Sequence, residues 1–319
     1  MSAVIREAEL DVWFTRRPGA VHTQAVEFRG KRKDVEIFDF LGDDLCHYSG
    51  SFGTQWSKYR HVQVDRFNGT QASYAHLKMF TLGDLHVLEG KVILEIGSGA
   101  GRFTDYLVDL GKAVITVDPS SIDVNVALGA SNLIPIRADL FDVPVRRHNV
   151  DVVFCRGVTQ HTANTRRAIM RLFDYVKPGG IVLFDVYHLR WFTPFCLKYW
   201  IRPFTRSIPV DEFIPFAEKW VPRLLQFKRR YVVPFMPNNT FGVNLASQIV
   251  PVADYTHASS LDSWTKKIEW SVLDTVDMYT PRYDRPMTWN GVLKALHDVG
   301  AQNIEGDRSS FCFRANAPA

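Results

Sequence analysis

From Val92 to Val186 the chain alternates short apolar runs with stretches whose apolar residues recur every three or four positions. The runs at about 92–97, 113–118, 133–138, 150–155 and 181–187 predict strands, and the stretches at about 101–110, 119–129 and 164–175 predict helices. A run without polar alternation has no solvent face. Such strands belong in a parallel sheet covered by helices on both sides and joined by right-handed crossovers. Lys177-Pro-Gly-Gly180 reads as the turn before the fifth strand. Further on, Thr288 and Gly300 read as the N-cap and the stop of one more helix, and 302–305 with 310–314 as a closing hairpin. The predicted fold is α/β, a doubly wound and mostly parallel seven-stranded sheet.

Elsewhere this rhythm is missing. Residues 1–50 are mixed and weakly periodic, with a basic patch at Arg29–Lys33. From Ser51 to Leu88 the spacing turns helical and aromatic, through Phe52, Trp56, Tyr59, Tyr74, Leu77 and Phe80. Residues 188–286 hold ten of the sixteen prolines and five of the eight tryptophans, too many breakers to continue a doubly wound sheet. This stretch reads as a large insertion after strand five with its own packing. The predicted divisions are 1–88, 89–187, 188–286 and 287–319.

Composition excludes more than it selects. A net charge of +4 is too small to argue for nucleic acid by itself. The four cysteines lie far apart and the histidines lack ligand spacing, so no metal site is expected. Cys155 and Cys312, in apolar runs, read as buried thiols. The acidic start MSAVIREAELDVWF does not resemble a secretion signal, and no run of about twenty apolar residues predicts a membrane span. A cytoplasmic location is the expectation, with no oligomeric state implied.

The first strand ends in Glu95-x-Gly97-x-Gly99-x-Gly101. A glycine-rich turn between strand and helix lets backbone approach a nucleotide-like ligand closely. The second strand ends in Asp118, whose carboxylate can accept from both hydroxyls of a ribose. Dinucleotide turns space their glycines Gly-x-Gly-x-x-Gly, so that a pyrophosphate sits at the helix start. Here the third glycine comes one residue early, and Glu95 would repel a pyrophosphate. A cationic ligand without phosphate, S-adenosyl-L-methionine, suits the turn better.

With Ala138-Asp139-Leu140, Asp151–Thr162 and Val176-Lys-Pro-Gly-Gly180 following in order, the chain resembles the class I S-adenosylmethionine-dependent methyltransferases, whose fold is Rossmann-like. The resemblance implies a cofactor site built from Glu95, Gly97, Ser98, Gly99, Gly101, Asp118 and Pro119. It adds Asp139 and Leu140 at the adenine, and Arg156 and Gly157 beside the carboxypropyl arm and methyl group. A helix cap is the alternative for Asp139, and a plain turn for Gly157. Phe52-Gly-Thr-Gln-Trp-Ser-Lys-Tyr59 resembles a segment of methyltransferases from bacterial polysaccharide and glycolipid gene clusters, where it follows a zinc ribbon. With Cys46 alone upstream, the ribbon is absent here. Gln55 and Trp56 would cover the cofactor, with helix packing the alternative for Trp56.

The resemblance implies methyl transfer, most simply O-methylation of a small-molecule or glycan-linked hydroxyl. An RNA or a lipid or quinone-type acceptor is the alternative, as is a non-catalytic cofactor-binding protein. No nucleic-acid partner is expected, because the basic residues of 190–230 alternate with prolines and aromatics. Candidate bases are His161 past strand four, His257 in the insertion and His188 after strand five. Asp277, Tyr279, Tyr283 and Asp284 either bind the acceptor or pin the insertion to the core. The insertion leaves the sheet at its ligand-binding edge and reads as a lid over the acceptor. Its first part, 189–206, mixes Trp, Phe and Arg as interfacial helices do. It reads as a peripheral membrane contact or as a lid helix with Arg190, Arg202 and Arg206 in solvent.

Overall fold

The computed structural model describes residues 11–41, 50–120 and 122–319. Its sheet has nine strands, two more than the sequence pattern predicts. β1 (Ala20–Phe28) and β2 (Lys31–Asp39) form an antiparallel hairpin. The parallel core is β3 (Val92–Ile96), β4 (Ala113–Val117), β5 (Leu133–Arg137), β6 (Val150–Cys155) and β7 (Val176–Asp185). β8 (Gln302–Asp307) and β9 (Cys312–Asn316) close the sheet as an antiparallel hairpin against β7. The order is β1-β2-β5-β4-β3-β6-β7-β9-β8. The added hairpin joins the core through two parallel pairs, Phe38 with Ile136 and Asp39 with Arg137. Chain order reverses beside β3, which leaves a crevice at the carboxyl ends of β3 and β6.

Successive residues of each core strand point to opposite faces. Leu94, Ile115 and Val153 pack with Ile169 and Leu172 of α4 (Thr165–Leu172) and with Val292 and Leu296 of α9 (Trp289–Asp298). Ile93, Val114 and Val152 pack with Leu77 and Phe80 of α2 (Ala72–Phe80) and with Leu107 of α3 (Thr104–Leu110). The caps follow the sequence: Asn164 accepts from Arg167 N at 2.9 Å and Thr288 from Gly291 N at 3.0 Å. One predicted helix, 119–129, is instead a short 3₁₀ turn at Ile122–Val124. The Asp118 carboxylate takes Ser120 N, and the Asn125 side chain takes Ala127 N. Both bonds compete with helical ones.

The insertion is helical despite its prolines, and Pro203, Pro215 and Pro222 lie inside helices. It comprises α5 (Leu197–Thr205), α6 (Val210–Phe227), α7 (Thr240–Ile249) and α8 (Trp264–Tyr279). These helices share a core with α1 (Gly50–Gln63), where Tyr59 and Val62 meet Phe213, Leu225 and Trp270. Trp270 donates its indole N–H to the Val62 carbonyl at 2.6 Å. The two ends of the insertion are tied together where Leu189 N meets Met287 O and Met287 N meets Tyr187 O. Among the described residues, no helix is long and apolar enough to cross a membrane.

Candidate active site

The three glycines of the β3–α3 turn have φ of +77°, +51° and +84°. A Cβ on Gly97 would lie 2.1 Å from Val158, one on Gly99 3.0 Å from the Trp56 indole, and one on Gly101 2.2 Å from the Asn125 side chain. The turn is therefore closed to side chains on every side. Beneath it runs a buried chain of hydrogen bonds. Asn125 donates to Thr104 Oγ1 at 2.9 Å, and Thr104 donates to Glu95 Oε2 at 2.6 Å. Burial raises the Glu95 carboxyl to about 8, so at neutral pH it is mostly uncharged.

Above the turn lies a cavity of about 420 Å³. Its core wall contains Gly97, Ser98, Gly99, Asp118, Pro119, Leu140, Arg156, Gly157 and His161. The Asp118 carboxylate accepts from Gly99 N and Ser120 N, both at 2.9 Å. Arg156 pairs with Asp185 at the end of β7, and Asp185 also takes Gly157 N at 2.6 Å. Ser98 Oγ and Arg156 Nε are buried without a hydrogen-bond partner in the protein.

The opposite wall comes from the amino-terminal helices and the insertion: Phe52, Trp56, Gln63, His76, Tyr255, Asp274, Asp277 and Met278. Asp274 and Asp277 are three apart on α8 and share one face. Burial lifts Asp274 to about 6, and Tyr255 donates its hydroxyl to it. Arg102, directly after the glycine turn, is half-buried, and burial lowers it to about 10. Its guanidinium bonds Ser73 Oγ at 2.9 Å and His76 Nδ1, and lies 5.1 Å from the Trp270 ring centre. Burial, then Arg102 and Arg156, push His76 down to about 3, so it is neutral.

His161 is 5 % exposed and stands between the Phe52 and Tyr187 rings. Its Nδ1 lies 3.0 Å from the Tyr283 carbonyl, which can only accept, so Nδ1 carries a proton. Nε2 is left facing Asp277, 3.8 Å away, and Asp277 also accepts from the Tyr187 hydroxyl at 3.0 Å. Burial raises Tyr187 well above the ordinary phenol value, so it stays a donor.

Several expected site residues lie elsewhere. Gln55 does not line the cavity; it is buried and donates to Thr280 Oγ1 at 3.2 Å. Glu95 lies under the turn, and Gly101 faces Asn125 on the turn's inner side, so neither lines the cavity. Asp139 caps the 3₁₀ turn Leu140–Asp142 by accepting Phe141 N at 2.7 Å, while Leu140 lines the cavity. His257 is exposed. His188 stacks on Phe311 at 4.0 Å beside Arg190, so that of the three histidines the sequence put forward, His161 is the one on the cavity wall. The acidic and aromatic cluster of 277–284 divides: Asp277 reaches the cavity, whereas Tyr279 bonds Pro251 O and Asp284 is buried against Lys198 and Tyr199. Arg202 is buried on carbonyls of Met278 and Pro281, not in solvent. Cys155 and Cys312 are free and buried, and Cys46 lies outside the described residues. The sequence reading missed Arg102, His76, Gln63, Tyr187, Tyr255 and Asp274, although Arg102 adjoins the glycine motif.

Residues 94–184 match the family model described as a methyltransferase domain. This stretch is similar to that family, and its largely parallel sheet is the class I, Rossmann-like fold. Its cofactor is S-adenosylmethionine. The ubiquinone biosynthesis O-methyltransferase of Rhodopseudomonas palustris (strain BisB18) is 26 % identical over 181 residues, 53 % of this chain and 66 % of that protein. The mitochondrial ubiquinone biosynthesis O-methyltransferase of Schizosaccharomyces pombe is 33 % identical over 98 residues, 28 % of this chain and 36 % of that one. The matched stretch thus spans between about a third and two thirds of these relatives. Human N-acetylserotonin methyltransferase, solved with S-adenosylmethionine, aligns over 88 % of this chain and 60 % of its own, with a TM-score of 0.45 and 13 % identity.

Proposed function

We propose that the protein transfers a methyl group from S-adenosylmethionine to a hydroxyl of a small, largely apolar acceptor, with His161 as general base. The observation that carries this reading is the fixed orientation of His161, with Nδ1 on the Tyr283 carbonyl and Nε2 turned to Asp277 on the cavity wall. The lining suits the cofactor. Gly97 and Gly99 leave backbone bare, Asp118 stands on the cavity wall just past β4, and Ser98 Oγ and Arg156 Nε are buried polar atoms in need of partners. Leu140 would pack on the adenine.

When bound, S-adenosylmethionine supplies a methyl group on a sulfonium that departs as a neutral sulfide. The protein aligns the acceptor, keeps out water and takes the proton. Alignment can supply roughly 7–11 kcal/mol of barrier lowering. His161 Nε2 accepts the hydroxyl proton as the oxygen–carbon bond forms, and Asp277, which faces that same nitrogen, stabilises the charge of the resulting imidazolium. Phe52, Trp56, Leu273 and Met278 give the acceptor an apolar enclosure. An aromatic or quinone-type hydroxyl fits that enclosure, and relatives named for ubiquinone biosynthesis favour it. A lipid tail on such an acceptor accords with membrane contact through 189–206. A glycan-linked hydroxyl, suggested by the Phe52–Tyr59 segment, forms the other arm of the test.

The test is transfer of labelled methyl to catechol-type and quinol-type phenols and to lipid-linked sugars, with S-adenosylhomocysteine titrated calorimetrically. Methylated phenol supports the proposal. Transfer to sugars alone overturns the acceptor class, and failure to bind S-adenosylhomocysteine overturns the whole reading.

A further inference from the structure

We propose that the outer faces of α5, α6 and α7 form a single surface that docks on an anionic lipid bilayer, extending the contact at 189–206 to residues 191–249. Of the large apolar side chains that stand exposed among the described residues, sixteen lie in 191–249 and five elsewhere. Helix α5 shows why this is a built surface. Its inner face is polar: Lys198 pairs with Asp284, Arg202 caps the carbonyls of Met278 and Pro281, and Thr205 bonds Tyr279 O. Its outer face is Leu197, Trp200, Ile201 and Phe204, the last 77 % exposed. That spacing of three, one and three residues is one helical stripe. A helix resting on a protein in water should present the reverse arrangement. The next helices continue the pattern, with Phe216, Trp220 and Phe227 outside on α6, and Phe241, Leu245 and Ile249 outside on α7.

Charge decides the occupant. Residues 189–249 carry nine Lys and Arg against three Asp and Glu, an excess of six in a chain whose total is +4. The remainder of the chain is therefore slightly acidic. Lys198, Arg202 and Lys228 are neutralised internally by Asp284 and Asp254. Arg206, Lys219, Arg223, Arg229 and Arg230 stay at the surface. Lys219 and Arg223 flank the Trp220 ring at 5.6 and 5.5 Å, so cations and apolar anchors share one face. Among the acids, Glu218 is paired with Lys58 and Tyr59. Tryptophan and phenylalanine edged by Lys and Arg suit the headgroup boundary of an anionic membrane. Two copies meeting through this face would oppose like charges.

The contact would lie next to the reaction. Lys198 on α5 sits 4.8 Å from the ring centre of Tyr187, and Arg202 holds the carbonyl of Met278; both Tyr187 and Met278 line the cavity. An acceptor with its tail in the bilayer would be presented beside its site. That last step rests on the methyltransferase reading, whereas docking itself does not.

The experiment is flotation of the full chain with phosphatidylcholine vesicles, with and without phosphatidylglycerol, at low and high salt and without cofactor or acceptor. Flotation with the anionic vesicles, reduced by salt, is expected. Trp200→Ser with Phe204→Ser, and separately Phe216→Ser with Trp220→Ser, should weaken it at least about tenfold. Both pairs should bind S-adenosylhomocysteine as the wild type does, which certifies their fold and tests the cofactor reading separately. Wild-type tryptophan emission, quenched by bromine-labelled lipid, gives a second readout that needs no variant. Absence of flotation and quenching at low salt overturns the proposal, as does a concentration-dependent dimer that both serine pairs abolish while vesicles stay unbound.

Discussion

Glu95→Gln tests the interior beneath the glycine turn. Glu95 is enclosed, near Asp118, and accepts the Thr104 hydroxyl; burial raises its carboxyl from 4.5 to about 8. Between those values the folded chain keeps a proton that the unfolded chain has released. The raised folded pKa means this contribution is fully present below about pH 4.5 and is lost progressively as pH climbs through about 8. At about 1.4 kcal/mol per pH unit, the gap corresponds to a ceiling of roughly 5 kcal/mol. That is a large part of the roughly 5–15 kcal/mol by which domains are stable. Glutamine keeps the shape and a carbonyl for Thr104 but does not titrate. Urea unfolding of both proteins at fixed ionic strength from pH 5 to 9 gives the measurement. The stability of the wild type relative to the variant should decline by several kcal/mol across that range. Asp274, also raised by burial, titrates in both proteins and cancels from the difference. Parallel curves would show that Glu95 is ionised in the fold, and the buried-acid argument would fail.

Four further outcomes follow. Asp118→Asn should weaken S-adenosylhomocysteine binding by about 10- to 100-fold, the loss of one charge-assisted hydrogen bond at roughly 1.5–3 kcal/mol, with circular dichroism unchanged; wild-type affinity would leave Asp118 a loop-holding role alone. His161→Asn should cut kcat by about 10²- to 10⁴-fold without moving the S-adenosylhomocysteine Kd, and an unchanged kcat would remove it as base. Tyr187→Phe frees Asp277 of its donor and should lower kcat without moving the S-adenosylhomocysteine Kd, and an unchanged kcat would remove Asp277 as the partner of His161. Gly101→Ala, at φ +84° and against Asn125, should cost about 2–5 kcal/mol in urea unfolding, summing backbone strain and overpacking; a cost below about 1 kcal/mol would mean the turn yields.

The core was legible because parallel strands are buried on both faces and so write themselves as unbroken apolar runs. The β1–β2 hairpin was not, because it hangs on the sheet by two residue pairs and most of its side chains are half or fully exposed. Its signal was the turn at Arg29-Gly30, both with positive φ, between two alternating stretches. Prolines in 188–286 argued rightly against strands but hid the helices, since tertiary packing holds Pro203, Pro215 and Pro222 within them. In the site, local motifs located Gly97, Asp118 and His161. Asp274 escaped because only the fold of α8 across the crevice brings it to the cavity, and Tyr255 because it reaches the cavity by bonding Ser271 and Asp274 of that helix. Asp139 and Gln55 show the converse, residues set in the right motif whose hydrogen bonds observed here run within the protein.

The contact between His161 and the Tyr283 carbonyl has a consequence for exchanging parts between enzymes of this fold. The imidazole sits on the turn Thr159–His161 past β6, yet the carbonyl that orients it and the carboxylate beside it come from 277–283, at the far end of the inserted helices. If His161 is the base as proposed, acceptor choice and proton handling are inherited as one cassette. A graft of residues 188–286 that changed the pocket without an equivalent carbonyl would leave the histidine free to rotate, and a new specificity would arrive with its chemistry disabled.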